Sequence, residues 1–291
     1  MGGAERNARK KRQAQLAERT TGGARQRPAA AKPDTRRRLT AGIDRSKVII
    51  GVVVVVVLAG VVIGGLIYSN SQRNATEGKN ILQENNAAEP EPTELTVAEL
   101  GDYPAVRQDG VVVVGEADAK VTIDAYEDFL CPGCRAFETY YGKQLDKQLS
   151  AGTIKVRYHL LPMLNDKSDP AGYSMDAANA GLCAADAGMF PAYHLSLFRA
   201  QPAEDARGWD TAQLTELGTD LGVTDPEFAE CVAGDRHDSL VTANFDQVLT
   251  AKYLERDGGF GTPTIAVGRK VIDIDPEKNP RWLDKLVADK G

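Results

Sequence analysis

Hydrophobic and polar positions divide the chain into four stretches. Residues 1–47 show no apolar period and are rich in Arg, Ala, Gly and Gln, which predicts a disordered segment. Val48 to Tyr68 is a run of 21 residues without a charge. As a helix rising 1.5 Å per residue it would be roughly 31 Å long, the thickness of a bilayer core. Residues 69–105 are polar and include Glu89-Pro90-Glu91-Pro92, which predicts an unordered tether. From about residue 106 regular periods return.

Within 106–291, Gly110 to Gly115 and Lys120 to Tyr126 read as strands, because β-branched residues dominate both. Phe137, Tyr140, Tyr141 and Leu145 fall at i, i+3, i+4 and i+8, which predicts a helix from 133 to about 149. Ile154 to Leu161 reads as a strand and closes a βαβ unit with an expected right-handed crossover. Residues 172–256 turn helical. Met175, Ala178, Leu182, Ala185 and Met189 share one face, and Leu214, Leu217 and Leu221 share another. Asp225-Pro226 predicts a capped helix start. Val241, Phe245, Val248 and Leu249 again fit a helical face. Thr264 to Ile272 reads as a hairpin turning at Gly268, and Asn279-Pro280-Arg281 opens a last helix. The order β-β-α-β, helices, β-β-α predicts an α/β chain: a thioredoxin-like fold with a helical insertion, preceded by one transmembrane helix.

Charge sharpens the membrane reading. Residues 1–47 hold fourteen of the 35 Lys and Arg but four of the 41 Asp and Glu, leaving 21 basic against 37 acidic residues beyond them. A basic tail on an acidic body predicts two environments rather than a nucleic-acid-binding domain. The positive-inside rule places residues 1–47 in the cytoplasm and the rest outside the cell membrane, on a single-pass anchor at 48–68. A cleaved signal peptide, with Ser69-Asn70-Ser71 as a weak site, is the competing reading; the long basic region disfavours it. Gly60 and Gly64 form a GxxxG step that lets spans approach closely. Asn74-Ala75-Thr76 fits the short N-glycosylation pattern.

The candidate chemistry sits between the second strand and the first helix. Cys131-Pro132-Gly133-Cys134 spaces two thiols for a small disulfide. At a helix N-terminus unpaired N–H groups and the helix dipole favour thiolate, so the first sulfur becomes a good leaving group in thiol–disulfide exchange. The competing reading, half of a zinc site, lacks a second ligand pair, because Cys183, Cys231, His159, His194 and His237 show no ligand spacing. Cys183 and Cys231 fall on or beside apolar helix faces. They read as a structural staple, as two core thiols or as a second redox pair. No metal or organic cofactor is implied. Asp124, Glu127 and Asp128 are candidate proton-transfer groups, with three surface carboxylates as the alternative.

Tyr126 through Cys134 resembles the active-site stretch of the DsbA-like thiol:disulfide oxidoreductases, in particular the membrane-anchored kind of Gram-positive bacteria. Gly261-Thr262-Pro263-Thr264 resembles that family's cis-proline loop. The resemblance covers residues 101–291. It implies that Cys131 is the exposed nucleophile and Cys134 the buried resolving thiol. It makes Pro263 a cis-proline facing the pair and Thr262 a source of backbone groups for an extended peptide. It also implies an oxidase that donates the Cys131–Cys134 disulfide to unfolded secreted proteins. A quinone-linked membrane partner, DsbB-like or vitamin K epoxide reductase-like, would reoxidise it. Two positions depart from the family. Strong oxidants carry a histidine where this chain has Gly133, and many members a glutamate where it has Ala125. A reductase or isomerase, and a non-catalytic peptide-binding module, are the rival functions.

Overall fold

The computed structural model describes residues 45–87, 94–256 and 258–290. The chain divides into two units, 1–57 and 58–291. The sheet, the helices around it and the candidate site belong to the second.

Helix α1, Arg45–Arg73, contains the uncharged run. Its side chains are described at Val54 and from Val56 onward. Among the described residues no helix is long and apolar enough to cross a membrane. Within the expected span 48–68 the side chains of 48–53 and 55 lie outside the described ones, and the whole of 1–44 lies outside the described residues.

Six strands form one mixed sheet: β1 (Ala105–Gln108), β2 (Val111–Val114), β3 (Val121–Glu127), β4 (Ile154–Leu160), β5 (Thr264–Val267) and β6 (Lys270–Val271). Their order is β1-β2-β4-β3-β5-β6. β3 and β4 run parallel, with Val121 opposite Ile154 and Glu127 opposite Leu160. Helix α2 is Ile81–Ala87, and the 19-residue helix α3 (Pro132–Ser150) connects β3 to β4. Every other pairing is antiparallel. β3 lies inside the sheet, and all but one of its seven residues are buried. Alternation therefore fades in its sequence, as expected of a strand covered on both faces. The hairpin β5–β6 turns at Gly268, whose φ of 64° suits glycine.

Between β4 and β5 lie five helices: α4 (Tyr173–Asp186), α5 (Phe190–Arg199), α6 (Thr211–Asp220), α7 (Pro226–Ala233) and α8 (Asp238–Thr250). The Asp225 side chain accepts from the Glu227 N–H at 2.9 Å and caps α7. The last helix, α9, is Trp282–Lys290. Trp282 and Leu283 join the main core. Leu249, expected on the buried face of α8, is 50% exposed. Cys183 and Cys231 form a disulfide that ties α4 to α7 across 48 residues. The reading of this pair as two free core thiols is thereby excluded.

Two expectations fail. The sequence pattern does not predict β1, because its four residues are half-buried or exposed and carry little apolar signal; it is a strand through its pairing with β2. The polar stretch 69–105 is not a loose tether where it is described. Ile81, at the start of α2, is 1% exposed in the main core. The Thr76 hydroxyl donates to the Gly208 carbonyl at 2.7 Å. The Gln213 amide donates to the Thr76 and Lys79 carbonyls at 2.6 and 2.7 Å. Buried Arg199 donates to the carbonyls of Asn85 and Leu95. Most of these bonds are accepted by backbone carbonyls of the segment, which composition does not show. The Glu89-Pro90-Glu91-Pro92 run lies in 88–93, outside the described residues.

Candidate active site

The chain leaves β3 through a turn made by Asp128. Its carboxylate accepts the N–H groups of Leu130 at 2.8 Å and Leu164 at 2.7 Å, and the Ser174 hydroxyl at 2.7 Å. Phe129 and Leu130 are buried beneath. Cys131 is then the N-cap of α3, and Pro132 opens the helix, where its missing N–H costs nothing. The Cys131 carbonyl accepts the first helical bonds from the N–H groups of Cys134 at 3.0 Å and Arg135 at 3.2 Å.

This placement separates the two thiols, both of which are free. The Cys134 thiol donates a hydrogen bond to the Cys131 sulfur, and Thr262 and the N–H groups of Cys134 and Gly133 add to it. Partial burial opposes them, but Cys131 is still lowered to about 6. Burial pushes Cys134 well above its ordinary value. Cys131 is 7% exposed and Cys134 0%, so the expected open display of Cys131 is corrected to a narrow opening. The loop at Thr262–Pro263 stands against it.

That loop faces the sulfurs directly. The Thr262–Pro263 peptide bond is cis. The Thr262 carbonyl lies 3.3 Å from Cys131 Sγ. A Cβ added at Gly133 would stand 3.0 Å from Pro263 Cδ and 3.6 Å from Cys131 Sγ. Gly133 thus lets the proline ring close over the pair. A second cis bond lies at Asp169–Pro170, which the sequence reading did not single out.

The three candidate carboxylates part company. None is on the surface. Asp124 points to the opposite face of β3 from Glu127, where it meets His159 at 3.2 Å and Arg157 at 3.3 Å. Asp128 is consumed by its turn. Glu127 alone lies beside the thiols. It is 0% exposed, and burial raises it to about 8. Its Oε2 is 2.9 Å from His194 Nε2. Its carboxyl is also hydrogen-bonded to that of Glu138, which burial raises well above its usual range. One oxygen of each glutamate has no partner among the described residues. Burial lowers His194, and the rings of Phe129, Tyr158, Phe190 and Phe198 surround it at 4.6–5.6 Å. A cavity of about 30 Å³ adjoins Glu138 and His194, room for a water molecule. The cluster sets two carboxyls and an imidazole in an apolar interior.

Sequence reasoning missed Glu138, His194 and Gln201. Glu138 had a signal: four residues after Cys134, it shares that residue's helix face. His194 had none, since Glu127 reaches it only through the fold. Gln201 donates to the carbonyls of Phe129 and Cys131.

Among the described residues two clusters bring three ligand-type atoms within 4.8 Å of one another. In Cys183–Cys231–His237 both sulfurs are bonded to each other, so no thiolate is available for a metal. Glu127–Glu138–His194 is fully buried, and burial raises both carboxyls, which disfavours the ionised form that a metal ligand needs.

A family model described as Thioredoxin matches residues 107–285. The serine/threonine-protein kinase PknE of Mycobacterium tuberculosis is 31% identical over 189 residues, 63% of this chain and 32% of the kinase. The chain thus spans about a third of the length of this curated relative. Among solved structures, MdbA from Corynebacterium matruchotii, a thiol-disulfide oxidoreductase, aligns with TM-score 0.54 at 19% identity, covering 71% of this chain and 99% of MdbA. The disulfide bond oxidoreductase DsbG from Mycobacterium tuberculosis aligns with TM-score 0.50 at 25% identity, covering 72% and 94%.

Proposed function

Because the chain belongs to the thioredoxin family, we propose that it is an extracytoplasmic thiol:disulfide oxidoreductase that oxidises secreted proteins. One observation carries the reading: Cys131 caps the N-terminus of α3 with the cis Thr262–Pro263 loop against its sulfur, while its partner Cys134, one helical turn on, is fully buried, a placement that favours thiolate on the first and thiol on the second. Such an asymmetry stabilises the reduced form relative to the disulfide. The disulfide is then a strong electron acceptor.

The steps balance as follows. A client thiolate attacks Cys131 Sγ of the oxidised pair, and the Cys131–Cys134 bond breaks. Cys134 leaves with the electron pair and takes a proton from Glu127, which burial keeps protonated near neutrality. A second client thiolate attacks the client sulfur of the mixed disulfide and releases Cys131 as thiolate. The client gains one disulfide and the enzyme becomes the dithiol. The Thr262 backbone, next to Pro263, borders this site, where an extended client strand is able to pair with it. Glu127 fills the role that the family gives to a glutamate two residues earlier, on the same face of β3 as Ala125.

Val48–Tyr68 serves as the anchor, with residues 1–47 in the cytoplasm and a quinone-linked membrane partner as reoxidant. The lack of charge in this run supports it, as does the exposure of its described apolar side chains, from Val54 at 50% to Tyr68 at 69%. The test is oxidation of reduced, unfolded ribonuclease by the oxidised protein. Formation of ribonuclease disulfides, lost in Cys131→Ala, is expected. An inert protein sinks the proposal, and net reduction of disulfides assigns the rival direction.

A further inference from the structure

Cys131 is gripped from two sides. On one side stands the cis-proline loop. On the other stands Gln201, just beyond α5 in the helical insertion. Its Nε2 donates to the Phe129 carbonyl at 2.9 Å and to the Cys131 carbonyl at 3.0 Å. Both N–H groups of one amide are used, on two carbonyls 72 and 70 residues away in sequence. These peptides form the turn that presents the sulfur.

Gln201 is itself anchored. Its own N–H bonds the Phe198 carbonyl at 3.3 Å, and the Trp209 indole donates to the Ala200 carbonyl at 2.9 Å. Two residues earlier Arg199 is fixed on the carbonyls of Asn85 and Leu95 at 3.2 and 3.3 Å. Asn85, Leu95, α5 and the active-site turn are thus joined in one hydrogen-bonded chain.

We propose that Gln201 is a positioning residue: its amide holds the Phe129 and Cys131 carbonyls and so keeps the Cys131 sulfur over the first turn of α3. The proposal rests on the thiol–disulfide exchange reading and adds to it a contribution from the insertion. The physical link is short-ranged. The N–H groups of Gly133 and Cys134 favour thiolate only while the sulfur stays within the first turn, where the helix-end field acts. Without Gln201 the Phe129 carbonyl, in a buried residue, loses its donor. The turn then shifts to find another partner and carries the sulfur with it. With glycine at position 133 no side chain between the cysteines compensates.

The test compares Gln201→Met, similar in size but without donors, and Gln201→Asn, uncharged but with its amide one methylene short of the two carbonyls, with the wild-type chain. Three quantities are read: the midpoint of Cys131 thiolate absorbance with pH, the redox equilibrium with glutathione, and the melting temperature in both redox states. The expected result is a midpoint raised by about one pH unit and an equilibrium moved about fivefold toward the disulfide near pH 7, beyond any loss of melting temperature that the two redox states share. A variant that melts earlier in both redox states but keeps the wild-type midpoint and equilibrium overturns the proposal, as does one that matches wild type throughout. If Gln201→Met does not fold, Gln201→Asn decides on the same readouts. Wild-type protein that exchanges no disulfide with glutathione refutes the parent reading instead, so the two failures are distinct.

Discussion

The substitution Glu127→Gln removes a titrating group from the apolar interior while keeping its shape. In the folded protein burial raises the Glu127 carboxyl from 4.5 to about 8. Below about pH 4 the folded and unfolded chains both hold the proton, and the group costs no ionisation free energy. As pH rises toward 8, the unfolded chain ionises while the folded chain keeps its proton, so stability falls. At about pH 7 the gap between ambient pH and the unfolded value is about 2.5 units, or about 3 kcal/mol at 1.36 kcal/mol per unit. The glutamine side chain escapes this cost, since it does not ionise in either state. The variant is therefore expected to be more stable than wild type by about 2–3 kcal/mol at neutral pH, with the difference vanishing toward about pH 4. The assay is urea unfolding at several pH values on the oxidised protein, in which neither Cys131 nor Cys134 titrates. On the proposed mechanism the same variant lacks the acid for Cys134, and client oxidation is expected to slow by about tenfold or more. A stability difference that is constant with pH, or a variant less stable than wild type at neutral pH, refutes the reasoning.

Cys183→Ser with Cys231→Ser opens a loop of 48 residues. The chain-entropy estimate puts the loss at about 4 kcal/mol. Denaturant unfolding measures the loss, and the Cys131 thiolate titration is expected to stay unmoved. The Cys131 thiolate itself is expected to titrate near its lowered value of about 6, read by absorbance or by alkylation rate against pH. Because that value is depressed, the reduced form is stabilised fully above the unfolded thiol's range near 9, and the gain fades as pH falls through about 6. The melting difference between reduced and oxidised protein should grow with pH over that window, by about 2 kcal/mol after allowing for solvent screening. Ile81→Ala empties a core position, so it should cost about 2–4 kcal/mol in denaturant unfolding. A neutral result would mean that residues 76–87 do not pack on the domain in solution.

Much of the fold was legible in sequence because its strongest elements announce themselves locally. The β-branched runs at 111–114 and 121–127, the helical face of Phe137, Tyr141 and Leu145, and the Asp225-Pro226 cap each depend on a few neighbouring residues. The pair Cys131 and Cys134 and the proline at 263 were legible through motif resemblance. What stayed hidden depends on distant partners. The Thr76 hydroxyl and the carbonyls of Thr76, Asn85 and Leu95 find Gly208, Gln213 and Arg199, partners that sequence does not reveal. β1 has so little apolar content that only pairing with β2 makes it a strand.

The carboxylates divide along the same line. Sequence placed Asp124, Glu127 and Asp128 together because they are neighbours in the chain. The alternating faces of β3 send Asp124 away from Glu127, and the turn takes Asp128. Local sequence determined which residues sit at the end of β3 and that a helix begins at a cysteine. Only the tertiary structure decided which carboxyl loses its water and which histidine and glutamine reach the site. Secondary structure follows from interactions a few residues long, whereas burial, which raises Glu127 and Cys134, is set by groups brought from distant parts of the chain, His194 among them.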